Sequence, residues 1–322
     1  IWSAIDSVFG PRASRHRVPP WLTARYDSVP MDVRIFPNSR RPGIGVRPHR
    51  EAQRPLLPQH ARHCPVLEAG SSLGYLVHPP LADRESYIVE YQGEGRYRFV
   101  YSIKATDTEW KPLFVVAFQL SVGGTGARRE DVTLMIEASE QARDLALTMT
   151  RMFIVPDDMG TPAGAVTLRG AWNFRTPAGW DTVYSPVFNN IERPVAPMMS
   201  IRVETDWYVH ETEFRYVLQP GESITGAHNL PIGQVFFVPR EEFLLKDCSE
   251  AEIAELQRAR DAFARGKAGD KLKTPYGLEY SPFYLKVSRA QAAAQPGSGA
   301  ERGGDGTAAP GGAGPVPPTD GQ

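Results

Sequence analysis

Short runs of alternating apolar and polar residues set the character of this chain. Between Cys64 and about residue 122, "YIVEYQ" and "YRFVYSIK" repeat with period two, as strands with one buried face do. "LFVVAFQL" is apolar throughout and is expected to be a central strand. "DVTLMIE" reads as a further strand. "SEQARDLALTMTRM" then switches to a helical period, with Ala142, Leu145 and Met149 predicted on its packed face.

From "FIVPDD" to "VPREEF" the strand pattern returns, cut by Pro and Gly into "AVTLRGAWNFRTP", "GWDTVYSPVFN", "MMSIRVETDWY", "EFRYVL" and "PIGQVFFVP". Closely spaced short strands predict an antiparallel barrel or sandwich. A helix follows, opened by Ser249 with Glu252 three residues on, a capping-box spacing. Its apolar side is Ile253, Leu256 and Phe263, and Gly266 is placed to end it. The fold class expected is therefore mainly β with a few helices (α+β).

Five segments are expected: an irregular Pro/Arg-rich arm at 1–66, a β-rich module at 67–150, a β domain at 151–245, a helix and closing segment at 246–288, and a disordered tail at 289–322. The tail is Ala, Gly and Pro with almost nothing to bury. The arm holds eleven Arg, no Lys and four acids. That composition suits anion binding, or an extended surface segment anchored by Trp21, Tyr26, Ile35 and Phe36.

A formal net charge of −1 gives no electrostatic reason to expect nucleic acid or anionic membrane as partner. Two cysteines, Cys64 and Cys248, make no disulfide framework, so a cytoplasmic setting is expected. No apolar run reaches the roughly 18 residues of a membrane span. No leader peptide is read in the first residues, and native residues before Ile1 are expected because the sequence lacks an initiator Met. "QHARHCP" gathers His60, His63 and Cys64, but no distal Cys/His pair completes a four-ligand set, and no metal site is expected. The Gly-rich phosphate cradles of P-loop and dinucleotide folds are absent.

The stretch with the most chemistry is "SIRVETDWYVHETEF". If it is a continuous strand, Glu204 and Asp206 share one face while Thr205 and Trp207 share the other. Two carboxylates held together would split in pKa, as acid/base work requires. Equally, both acids can face solvent at a hairpin edge while Trp207 enters the core. His210 and His228 flank the stretch and read as surface or turn histidines.

The order "TPAGWDTVYSP", "SIRVETDWY", "LPIGQVFFVP" resembles the trimeric dUTPases and dCTP deaminases. The resemblance implies a β-clip barrel beside the N-terminal β module, with sites between subunits of a trimer. It places Glu204 on the water-activating Asp, Trp207 on the Tyr beneath the base, and Gln234 on the Gln of the last strand. Asp206 and Tyr208 complete the hairpin. Of the phosphate-binding motif only Ser185 and Asn189 persist, in "SPVFNN", and the Gly-rich closing arm has no counterpart. Residues 35–285 also resemble a family of uncharacterised bacterial and phage proteins with a CP…GYLI segment, a TP-x-GYS strand, a DTDW hairpin and a PI-x-Q-V…P-x-RE strand.

Three function classes follow. The first is a small-ligand or nucleotide-binding protein with altered or lost catalysis, taking Mg²⁺ only with a bound nucleotide. The second is a hydrolase or deaminase-type enzyme with Glu204 as base. The third is a structural or interaction module of phage descent.

Overall fold

The computed structural model describes residues 31–51, 64–106, 109–120, 126–155, 162–190, 198–273, 277 and 279–294. The expected arm therefore lies largely, and residues 295–322 of the expected tail wholly, outside the described residues. The chain divides into two compact units, and residues 30–247 form the larger.

Along that unit run β1 (Arg34–Pro37), α1 (Pro65–Ser71), β2 (Tyr75–Val77), β3 (Glu85–Gly93), β4 (Arg96–Lys104), β5 (Trp110–Gln119), β6 (Val132–Leu134) and α2 (Gln141–Phe153). They are followed by β7 (Ile154–Val155), β8 (Ala165–Arg169), β9 (Trp172–Arg175), β10 (Trp180–Ser185), β11 (Met198–Met199), β12 (Ile201–Val203), β13 (Glu213–Val217), β14 (Ser223–Ala227) and β15 (Gly233–Pro239). The fold is mainly β with antiparallel pairing throughout, in keeping with the class expected.

The first sheet has the order β14-β3-β4-β5-β6. Tyr87, Val89 and Tyr91 of β3, Tyr97, Phe99 and Tyr101 of β4, and Phe114, Val116 and Phe118 of β5 are its buried face. β5 is an inner strand as expected, paired with β4 and β6, although Ala117 and Gln119 on its outer face are exposed. Leu113, Val115 and Ala117 on its outward side are themselves apolar, which hides the alternation. The β3–β4 hairpin turns through Glu94 and Gly95, both at positive φ (52° and 74°), the twist that two-residue hairpins favour.

Helix α2 covers this face with Ala146, Thr150 and Phe153. Phe153 lies 5.2 Å from Tyr87 and 6.0 Å from Phe99 and Tyr101, ring centre to ring centre. Of the expected face, Met149 packs half-buried against the core, but Leu145 is corrected: it is 59% exposed.

A second sheet has the order β12-β10-β15-β2 and a third β11-β13-β8-β7, with β1 and β9 forming a ribbon. The three motif strands β10, β12 and β15 thus belong to one sheet. The boundary expected at 150 separates no two bodies. β2, from before it, pairs with β15, and β14, from after it, pairs with β3.

The second unit contains α3 (Glu250–Gly269), β16 (Leu272–Lys273), β17 (Glu279–Tyr280) and α4 (Phe283–Ala294). Ser249 caps α3 as expected: its hydroxyl accepts from Glu252 N–H, and Glu252 accepts from Ser249 N–H at 2.8 Å. The helix runs past Gly266 to Gly269, and Gly266 instead admits the Phe283 ring, 2.3 Å from where a Cβ would stand. α4 extends to Ala294, beyond the expected end of order at 288.

Candidate functional site

After Val203 the chain stops being a strand. Thr205 N–H donates to Val203 O at 2.9 Å and Tyr208 N–H to Glu204 O at 3.0 Å, which closes a tight turn over residues 204–207. The cause is Thr205, whose buried hydroxyl lies 2.9 Å from that of Thr176 and 2.6 Å from that of Thr182. A β-branched residue drawn inward at this place swings its neighbours outward. Asp206 then accepts from Gly179 N–H at 2.9 Å. The strand-like sharing of faces by Glu204 with Asp206, and by Thr205 with Trp207, gives way to this turn.

An ion-pair knot fixes the turn to the end of the second sheet. Asp181 on β10 is 2% exposed and accepts from Arg202 Nε at 2.5 Å and from Arg240 Nη2 and Nε at 2.6 and 3.0 Å. Arg240 Nη2 also donates to Asp206 Oδ1 at 2.7 Å, and Arg240 Nε stands 3.5 Å from Glu204 Oε1. Burial pushes the Asp181 carboxyl up, but the hydrogen bonds from Arg240 and Arg202 outweigh it and hold the group below the ordinary Asp range. Arg240 and the Gly179 N–H lower Asp206 likewise. Carboxylates held in the ionised form by guanidinium are weak proton acceptors.

Trp207 ends the turn with its ring 66% exposed. Its indole N–H donates to Glu204 Oε2 at 2.6 Å, so the ring edge is fixed while a face meets solvent. The turn thereby joins Glu204 and Trp207. Tyr208 and Val209 are exposed beside it. A series of ring contacts leads inward: Trp207–Tyr208 at 5.7 Å, Tyr208–His210 at 5.5 Å, His210–Tyr184 at 6.2 Å. His210 is half-buried, not a surface histidine.

Ser185, Asn189 and Gln234 lie elsewhere. The register of β10 with β15 runs from Trp180–Pro239 to Ser185–Gln234, so Asp181 and Ser185 are about 13 Å apart along the strand. Gln234 is buried; its carbonyl accepts from Phe188 N–H at 3.0 Å and its amide donates to Leu73 O. Asn189, at φ 57°, donates to Ser71 Oγ at 3.0 Å. Ser185 Oγ donates to Pro186 O at 3.1 Å. Asn189 and Gln234 clamp α1 and the lead into β2 onto the sheet, while Ser185 bonds within β10 and β15. Gly74 belongs to the clamp: at φ +88°, its backbone passes so near β15 that a Cβ would stand 2.1 Å from Val235 O. The structure thus brings Glu204, Asp206, Trp207 and Tyr208 together and leaves Ser185, Asn189 and Gln234 apart from them.

Asp181, Arg202, Arg240 and the Thr176–Thr182–Thr205 trio were missed by sequence reasoning. Asp181 and Arg240 stood inside the quoted motifs "GWDTV" and "VPRE", where a charge bordering an apolar strand was the available signal. Gly70–Gly74, "GSSLG", fits the Gly-x-Ser-x-Gly pattern, but it leads from a helix into a strand, the reverse of a nucleophile elbow, and Ser72 Oγ donates to Glu68 O at 3.0 Å. Among the described residues no group of three or more His, Cys, Asp or Glu is arranged to hold a metal ion, and no helix is long and apolar enough to cross a membrane. The sequence matches no protein-family model and no curated protein.

Proposed function

We propose that this chain is a small-ligand binding protein that stacks a planar ring, a nucleobase or similar heterocycle, on Trp207. The carrying observation is the two-thirds exposed Trp207 ring held by the Glu204 carboxylate at 2.6 Å. A large aromatic surface fixed in water loses little conformational entropy when a ligand covers it. Glu204 adds an acceptor beside the ring for N–H donors on the heterocycle edge.

Two features favour binding over acid/base catalysis. Asp206 is ion-paired and held ionised, and Glu204 already accepts the indole proton and faces Arg240. The polar residues that the dUTPase resemblance assigns to phosphate are occupied some distance from Trp207, Ser185 with the backbone of Pro186 and Gln234, and Asn189 in clamping α1.

Titration with adenine, cytosine and thymine, followed by tryptophan fluorescence, tests the reading. Quenching is expected in the native chain and is expected to vanish in Trp207→Ala, with the other five tryptophans unaffected. Glu204→Gln is expected to weaken binding about three- to tenfold, the loss of one charge-assisted acceptor. Equal quenching in Trp207→Ala would remove the proposal.

A further inference from the structure

We infer that the Phe-Leu-Leu segment at 243–245 docks on a second copy of this chain, against the outer face of the sheet β12-β10-β15-β2, and that two copies exchange these segments reciprocally.

The donor is an exposed apolar run. Residues 241–248 form neither helix nor strand, and all are exposed. Phe243, Leu244 and Leu245 are 80%, 77% and 100% exposed, three consecutive large apolar side chains in water. A connecting segment is ordinarily polar, and a run of this kind marks a surface that another surface covers.

The acceptor lies on the same compact unit. Thr182, Tyr184 and Val235 occupy the inner side of the sheet and are fully buried. The register places Val183 opposite Phe236, and Asp181 opposite Val238, on the other side. Val183, Phe236 and Val238 are half-buried there and lie outside the core cluster. The outward side of an antiparallel sheet is ordinarily polar, so these three residues also want cover. Phe188 borders them, its ring centre 5.7 Å from that of Phe236.

Reach decides which copy supplies the arm. Arg240 is fixed at the end of β15 by its N–H to Gly179 O at 2.8 Å and by Asp181 and Asp206. Phe243 follows three residues on, about 10 Å at full extension. Phe236 lies four residues back, about 14 Å along the strand. A chain's own Phe243 therefore falls short of Phe236, whereas that of a second copy carries no such tether.

Area requires both arms. Three such side chains bring roughly 350 Å² of apolar surface, so two arms and the faces they cover bury roughly 1,400 Å² in all. Stable interfaces begin at about 1,200 Å², and a single arm falls below that. Reciprocal exchange closes the pair with twofold symmetry and leaves no arm uncovered.

The test is sedimentation velocity of the full chain across the micromolar range. A reversible dimer is expected, more populated as concentration rises. Phe243→Ser, Leu244→Ser and Leu245→Ser combined are expected to weaken it at least about a hundredfold. The unfolding midpoint of that variant is expected to stay unchanged, because the three side chains stand in water in the single chain. Phe236→Glu, which puts a charge in the acceptor face, is expected to abolish the dimer, with its midpoint recorded to confirm that it folds. Mixing the two variants is expected to restore a weaker pair, since the intact arm of one meets the intact face of the other. A native chain that stays monomeric, a dimer unchanged by the serine variant, or a mixture of folded variants that stays monomeric each overturns the inference.

Discussion

Thr205 and Trp207 sit two residues apart and have opposite energetic roles. Thr205 is 2% exposed, and its hydroxyl ties Thr176 of the loop after β9 to Thr182 of β10. Thr205→Val keeps the shape and removes that link, leaving the buried Thr182 hydroxyl without its partner while Thr176 still donates to Trp180 O. A loss of about 1–2 kcal/mol in urea unfolding is expected. Trp207→Ala removes a ring mostly in water and is expected to cost under about 0.5 kcal/mol, against the roughly 3–5 kcal/mol of a core tryptophan. A large loss at Trp207 and none at Thr205 would reverse the roles assigned here. That "VETDW" carries chemistry was legible, because acids and aromatics crowd a strand end. Which residue faces inward was not: a threonine that nucleates a turn looks, in sequence, like a threonine in a strand.

Element by element, period was legible and facing was less so. The β3 and β4 alternation is reproduced because their outward positions, the paired Ile88 and Val100 apart, are polar enough to mark the buried face. In α2 the sequence offers two stripes of similar apolarity. The sheet selects the one ending in Phe153, because that ring fits among Tyr87, Phe99 and Tyr101. Phe153→Ala is expected to cost about 3–5 kcal/mol and Leu145→Ala almost nothing, both by chemical denaturation. Equal costs would mean that α2 packs through both stripes. The partition at 150 failed for a related reason. Strand pairing is set by which apolar edges meet, and β2 and β14 each meet an edge on the far side of the boundary.

Across the whole unit, acid stability is set where separated segments meet. His78, after β2, is 3% exposed and stacks on His49 at 5.4 Å, with His228, after β14, close by and its Nδ1 2.7 Å from Leu81 O. Burial first, then the charges that His49 and His228 acquire, lowers the His78 pKa to about 4 from the ordinary 6.5. In the unfolded chain His78 takes a proton as pH falls through 6.5; in the folded chain it resists until about 4. Between those values the unfolded state binds more protons, so stability falls as pH falls, by about 3 kcal/mol at most. Asp181, Asp206 and Glu85 have folded pKa values below their ordinary ones. Their contribution persists above the ordinary carboxylate range and is lost only as pH falls through their lower folded values. Two limbs are therefore expected in a plot of unfolding free energy against pH, the histidine limb at 6.5 to 4 and the carboxylate limb below it. His78→Asn is expected to shrink the first limb, leaving only the share of His210, whose pKa burial also lowers, and to leave the second unchanged. An unchanged slope between pH 6.5 and 4 in that variant would mean that the His49–His78–His228 cluster is not where the protein senses acid.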